Sequence, residues 1–90
     1  MLFRVALGDV IRDHRTERLM TLREVSSGAF VALGYLSEIE RGIKEPSSGV
    51  IESIADCLGV PAHTLIVETG YRMAGIPNTP EGIEEILLAH

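Results

Sequence analysis

Residues 21–48 read TLREVSSGAFVALGYLSEIERGIKEPSS, and their punctuation sets the fold. Thr21-Leu22-Arg23-Glu24 is a capping box: the Thr21 hydroxyl takes the Glu24 amide while the Glu24 carboxylate reaches back to the Thr21 amide. A short helix therefore starts at Thr21, turns Leu22 and Val25 inward and ends near Gly28. The next helix covers about Leu33 to Arg41, with Leu36, Ile39 and Glu40 facing in. Gly42 suits the left-handed position that closes a helix, and Pro46 enforces the stop.

Outward from this segment the chain stays helical, and no stretch alternates like a strand for long. Upstream, Leu7, Val10, Ile11 and His14 fall on one face of an amphipathic helix. Downstream, Ser47 or Ser48 caps a fourth helix carrying Val50, Ile51, Ile54, Ala55 and Leu58, which Gly59 closes. Pro61 opens a fifth, anchored by Leu65, Ile66 and Met73. Residues 75–78 form a linker, after which Thr79-Pro80-Glu81 starts a sixth helix with an apolar stripe of Ile83, Ile86 and Leu87. The expected organisation is all-α: a compact five-helix domain over 1–74, the linker, and a detached C-terminal helix over 79–90.

Ninety residues allow one small domain, and a core of that size gains from oligomerisation. The single cysteine, Cys57, excludes an internal disulfide, and His14, His63 and His90 lack metal-ligand spacing, so neither metal nor cofactor is expected. No apolar run reaches the roughly 20 residues that span a bilayer, and Met1–Leu7 is too short for a signal peptide. Those features point to the cytoplasm and away from membranes. The chain has no glycine-rich phosphate loop, nucleophile elbow or His-rich metal helix, so catalysis is not expected.

The formal charge of −5 is unevenly placed. Residues 1–48 carry seven basic and seven acidic side chains, whereas residues 49–90 set Arg72 against six carboxylates. A polyanion can approach the first half and is repelled by the second. Two short helices a few residues apart, the second flanked by basic groups, suit a helix-turn-helix whose second helix enters the major groove. Spacing alone leaves a plain helical bundle open.

The 21–48 segment, and YLSEIERG at 35–42 above all, resembles the Cro- and phage-repressor-like helix-turn-helix family over roughly Leu7 to Leu65. LREVS together with ALGYLSEIERGIKEPSS is similar, more narrowly, to the actinobacterial regulators of Clp protease genes. The resemblance implies a lambda-repressor-like fold with the helix-turn-helix over about 21–42. It further implies a dimeric activator of proteolysis and stress genes that binds double-stranded DNA at an inverted repeat, is associated with the nucleoid and contacts the transcription machinery. By the same resemblance, Leu33, Gly34, Ser37 and Glu38 face bases; Thr21, Arg23, Tyr35, Arg41, Lys44 and Ser47 face phosphates; and Arg15 pairs with Glu40. Leu33 suits thymine methyls, Ser37 can donate or accept, and Glu38 can accept from a cytosine amino group.

Three positions depart from the family pattern. Phe30 and Leu19 replace common glycines, which suggests a turn supported by packing of the Phe30 ring, and Ala32 removes a usual helix cap. A homodimer is expected to be held by Ile83, Ile86 and Leu87, with Leu65 and Tyr71 contributing. The competing reading is a protein-interaction or antitoxin-type module that uses the same helices against a protein.

Overall fold

The computed structural model describes residues 1–76, so the expected sixth helix, with Ile83, Ile86 and Leu87, lies outside the described residues. Within them the chain forms five helices and no strand: α1 (Phe3–Glu17), α2 (Leu22–Ala29), α3 (Leu33–Glu40), α4 (Ser48–Leu58) and α5 (Ala62–Met73). Both capping-box bonds are made, Glu24 N–H to Thr21 Oγ1 at 3.1 Å and Thr21 N–H to Glu24 Oε1 at 2.9 Å. Ser47 caps α4 by accepting from the Val50 amide, Gly59 closes it in the left-handed conformation, and Pro61 sits one residue ahead of α5. Among the described residues no single helix is long and apolar enough to cross a membrane.

The helices pack mainly in a closed ring of neighbours, α1 on α3, α3 on α2, α2 on α4, α4 on α5 and α5 back on α1. Inside it Leu7, Val10, Ile11, Val25, Leu36, Ile39, Ile54 and Leu65 are fully buried. Burying each such aliphatic side chain contributes about 1.5–3 kcal/mol. Leu65 is thereby removed from the expected dimer interface, because its side chain is consumed by the protomer's own core.

The α1–α3 crossing is set by glycine. A Cβ on Gly8 would collide with the carbonyl oxygens of Ile39 and Glu40, so only a bare backbone lets α1 lie this close to the end of α3. Gly42 is constrained twice: its φ is +74°, and a Cβ there would stand 2.9 Å from Val5 Cα. Arg4 Nε donates to the Gly42 carbonyl at 3.1 Å and fixes the same corner. The result is a rigid seat for α3.

Candidate nucleic-acid interface

Arg15 is the pin of the frame. Its Nε and Nη2 donate to Glu40 Oε2 and Oε1 at 2.7 and 2.9 Å, and its Nη1 donates to the Met20 carbonyl at 2.9 Å. The Met20 amide in turn donates to the Arg15 carbonyl. One guanidinium thus joins the end of α1, the entry to α2 and the end of α3. Hydrogen bonding to Glu40 holds the Arg15 guanidinium above its ordinary pKa, against the opposing effect of burial and with the help of the Glu40 charge. Glu40 is only 6% exposed, and the fork satisfies both oxygens of this buried carboxylate.

The turn between α2 and α3 closes on backbone. The Val31 amide donates to the Ser26 carbonyl at 3.0 Å, and the Ser26 hydroxyl donates to the Val31 carbonyl. Phe30 takes the left-handed conformation at φ +57°, and its ring is 95% exposed. The expected support of the turn by ring packing is therefore wrong; the hydrogen bonds close the turn without it. Leu19, between α1 and α2, repeats the arrangement at φ +55° and 90% exposure. Ala32 precedes α3 with no side-chain cap, leaving the first α3 amides without that partner.

Leu36, Ile39 and Glu40 turn into the core, and Leu33, Gly34, Ser37 and Glu38 lie on the opposite face. Leu33 and Gly34 are exposed, Ser37 and Glu38 half-buried, and Arg41 exposed just past the helix. Spacings of one, four, five and eight residues from Leu33 bring all five onto one face. A Cβ on Gly34 would meet nothing within 4 Å, so the first turn presents open backbone. Tyr35 is half-buried and packed against the core.

Cations divide by location. Arg4, Arg15, Arg18 and Arg72 are held by protein groups. Arg23 and Lys44 are exposed, with no side-chain partner among the described residues, and Arg41 makes one long contact, Nε to the Ser37 carbonyl at 3.4 Å. Thr21 and Ser47 each use their hydroxyl oxygen as a helix cap and are exposed at the starts of α2 and α4. Such starts present amides suited to phosphate oxygens.

Several linking residues had no sequence signal. Arg18 Nε donates to the Leu58 carbonyl at 2.7 Å and its Nη1 donates to His14 Nδ1 at 3.1 Å, which leaves His14 Nε2–H to donate to Glu68 Oε2 at 2.7 Å. Only the four-residue spacing of His14 and Arg18 hinted at this. Arg72 reaches Asp13 at 2.7 Å, and buried Thr69 donates to the Leu65 carbonyl. On α5, Tyr71 is half-buried, whereas Ile66, Val67 and Met73 form the exposed apolar strip. Cys57 is half-buried, its Sγ 3.9 Å from the Val25 carbonyl.

The family model described as "Helix-turn-helix" matches residues 11–65. Transcriptional regulator ClgR of Mycobacterium tuberculosis is 51% identical over 73 residues, covering 81% of this chain and 65% of that protein. HTH-type transcriptional regulator SinR of Bacillus subtilis is 38% identical over 63 residues, covering 69% of this chain and 57% of that protein. The chain thus spans less than two thirds of the length of either relative. The crystal structure of the clp gene regulator ClgR from Corynebacterium glutamicum superposes with a TM-score of 0.80 at 36% identity, covering 99% of this chain and 89% of that one. An all-α ring that seats a short, outward-facing α3, matched by family model, relatives and solved structure alike, has one assignment. The chain belongs to the Cro/phage-repressor-like helix-turn-helix family of DNA-binding transcriptional regulators, which are not enzymes.

Proposed function

We propose that this chain binds a specific double-stranded DNA sequence as a homodimer on an inverted repeat and activates genes of proteolysis and the stress response in the cytoplasm, at the nucleoid. The observation that carries the reading is the outward face of α3. Leu33, Gly34, Ser37 and Glu38 share it, and the fork between Arg15 and Glu40 ties the helix to α1. Leu33 meets thymine methyls, Ser37 and Glu38 exchange hydrogen bonds with base edges, and Gly34 admits close approach of the backbone. Thr21, Arg23, Tyr35, Arg41, Lys44 and Ser47 set the register on phosphates. Similarity to the clp gene regulators supports protease genes as targets, and the narrower resemblance supports activation through contact with the transcription machinery.

For the dimer, the exposed strip of Ile66, Val67 and Met73 together with Tyr71 on α5 replaces the excluded Leu65, alongside Ile83, Ile86 and Leu87 of segment 79–90. A two-fold axis would set two α3 helices about 34 Å apart on successive major-groove faces.

Selection of bound sequences from a random duplex pool, followed by titration of two variants, tests the reading. Glu38→Ala should relax preference at one base pair per half-site by about 1–3 kcal/mol. Arg41→Ala should weaken selected and random duplexes alike and lower the salt slope by about one. Equal effects of both changes on both duplexes would remove Glu38 from the reading face. Absence of any duplex binding would leave the protein-interaction module in its place.

A further inference from the structure

Phe30 holds a combination that the fold itself does not need. Its backbone is left-handed at φ +57°, a conformation that costs a residue with a Cβ and is free for glycine. Its ring is 95% exposed. The turn is closed by the Val31 amide on the Ser26 carbonyl and by the Ser26 hydroxyl, neither of which involves the ring. Ala29 and Val31 on either side are buried, so the ring stands on a tip anchored at both flanks. Glycine at position 30 would relieve both the backbone strain and the exposed apolar area.

The position of the tip says what the ring can meet. It closes α2 in the turn that leads to α3, three residues ahead of Leu33, the exposed apolar side chain that opens the outward face. Gly34, with open space where its Cβ would be, lets a duplex come close at that end of the helix. Neither Phe30 nor Leu33 has hydrogen-bonding capacity, and the apolar feature that a major groove offers is the C5-methyl of thymine. The tip's backbone is already ordered, and a phenyl ring has only two side-chain torsions to fix on contact, so the ordering cost is small. Leu19 shares the strain and the exposure but sits at the far end of α2, away from the start of α3.

We propose that Phe30 is a specificity-determining residue whose ring packs on a thymine C5-methyl at the edge of each half-site, beside the base met by Leu33. This inference rests on the DNA-binding reading above. It adds an apolar contact from the turn to the readout by α3.

The test compares the full chain with Phe30→Gly and Phe30→Asn, both residue types that tolerate the left-handed conformation. The readouts are melting temperature and affinity for the selected duplex, for a random duplex, and for selected duplexes in which single thymines are replaced by uracil. Phe30→Gly should melt several degrees higher, bind the selected duplex about tenfold more weakly and bind random duplex unchanged. At one thymine per half-site, uracil should weaken the unaltered chain and leave both variants unaffected, the signature of a coupled pair. Unchanged binding of the selected duplex by either variant, or a uracil effect that persists in full in both, overturns the proposal and assigns the ring to some other partner. A lower melting temperature for Phe30→Gly overturns the premise that the ring is dispensable to the fold. If the unaltered chain selects no duplex, the DNA-binding reading fails first and takes this inference with it, which separates the two failures.

Discussion

Between α1 and α5 three polar links cross the helices: His14 to Glu68, Asp13 to Arg72, and Arg18 to the end of α4. Along α2, α3 and the loop after them, Arg23, Arg41 and Lys44 point into solvent, and two large apolar residues, Phe30 and Leu33, stand exposed. One side of the molecule ties these groups into hydrogen bonds with its own chain, and the other leaves its cations and its apolar edges exposed. Net charge is therefore a poor guide to where a polyanion can sit. A chain with formal charge −5 still offers three cations, Arg23, Arg41 and Lys44, around α2, α3 and the loop after them, while Arg4, Arg15, Arg18 and Arg72 are held by protein groups.

The contrast can be broken at the seam between the two sides. Gly8→Val drives a branched side chain into the carbonyls of Ile39 and Glu40, which are backbone and cannot swing away. A loss of about 3 kcal/mol or more is expected. It would be read as a large fall in the urea midpoint or the disappearance of a cooperative transition; a midpoint unchanged from the parent would mean that α1 and α3 do not cross this closely.

Arg15→Ala comes next. It strands the buried Glu40 carboxylate and frees Met20, and should lower stability by about 3 kcal/mol. Arg12→Ala, on the exposed surface of the same helix, should stay within about 0.5 kcal/mol. Equal melting temperatures for the two variants would show that the fork contributes nothing particular. The smallest effect is expected for Arg72→Ala. Its partner Asp13 is more than half exposed, so solvent screening limits the pair to under about 1 kcal/mol, an effect that added salt should erase. A larger, salt-insensitive loss would place that pair among the frame contacts.

Local chemistry was legible in the sequence, and remote chemistry was not. The capping box at Thr21 and Glu24 and the stops at Gly42 and Gly59 each depend on residues within one turn, so spacing reveals them. Gly8 gives no such sign, because the carbonyls that forbid a Cβ belong to residues more than thirty positions away. Leu65 shows a related limit. Periodicity marks an apolar face without saying which neighbour covers it, and α1 covers this one from inside the same protomer. At Phe30 the substitution for glycine was visible, but the direction of the ring depends on a hydrogen-bonded closure that composition does not encode.

The ring of helix contacts also orders events during synthesis. The bonds between α1 and α5 join residues 54 and 59 positions apart, so α1 leaves the ribosome long before its partner exists. The side of α1 that meets α5 must wait while α2, α3 and α4 are made, and it is open to other apolar chains in that interval. Shutting it requires the longest loop in the described domain, the slowest class of contact to form. Chaperone demand for this small domain should therefore peak when α4 has emerged and α5 has not.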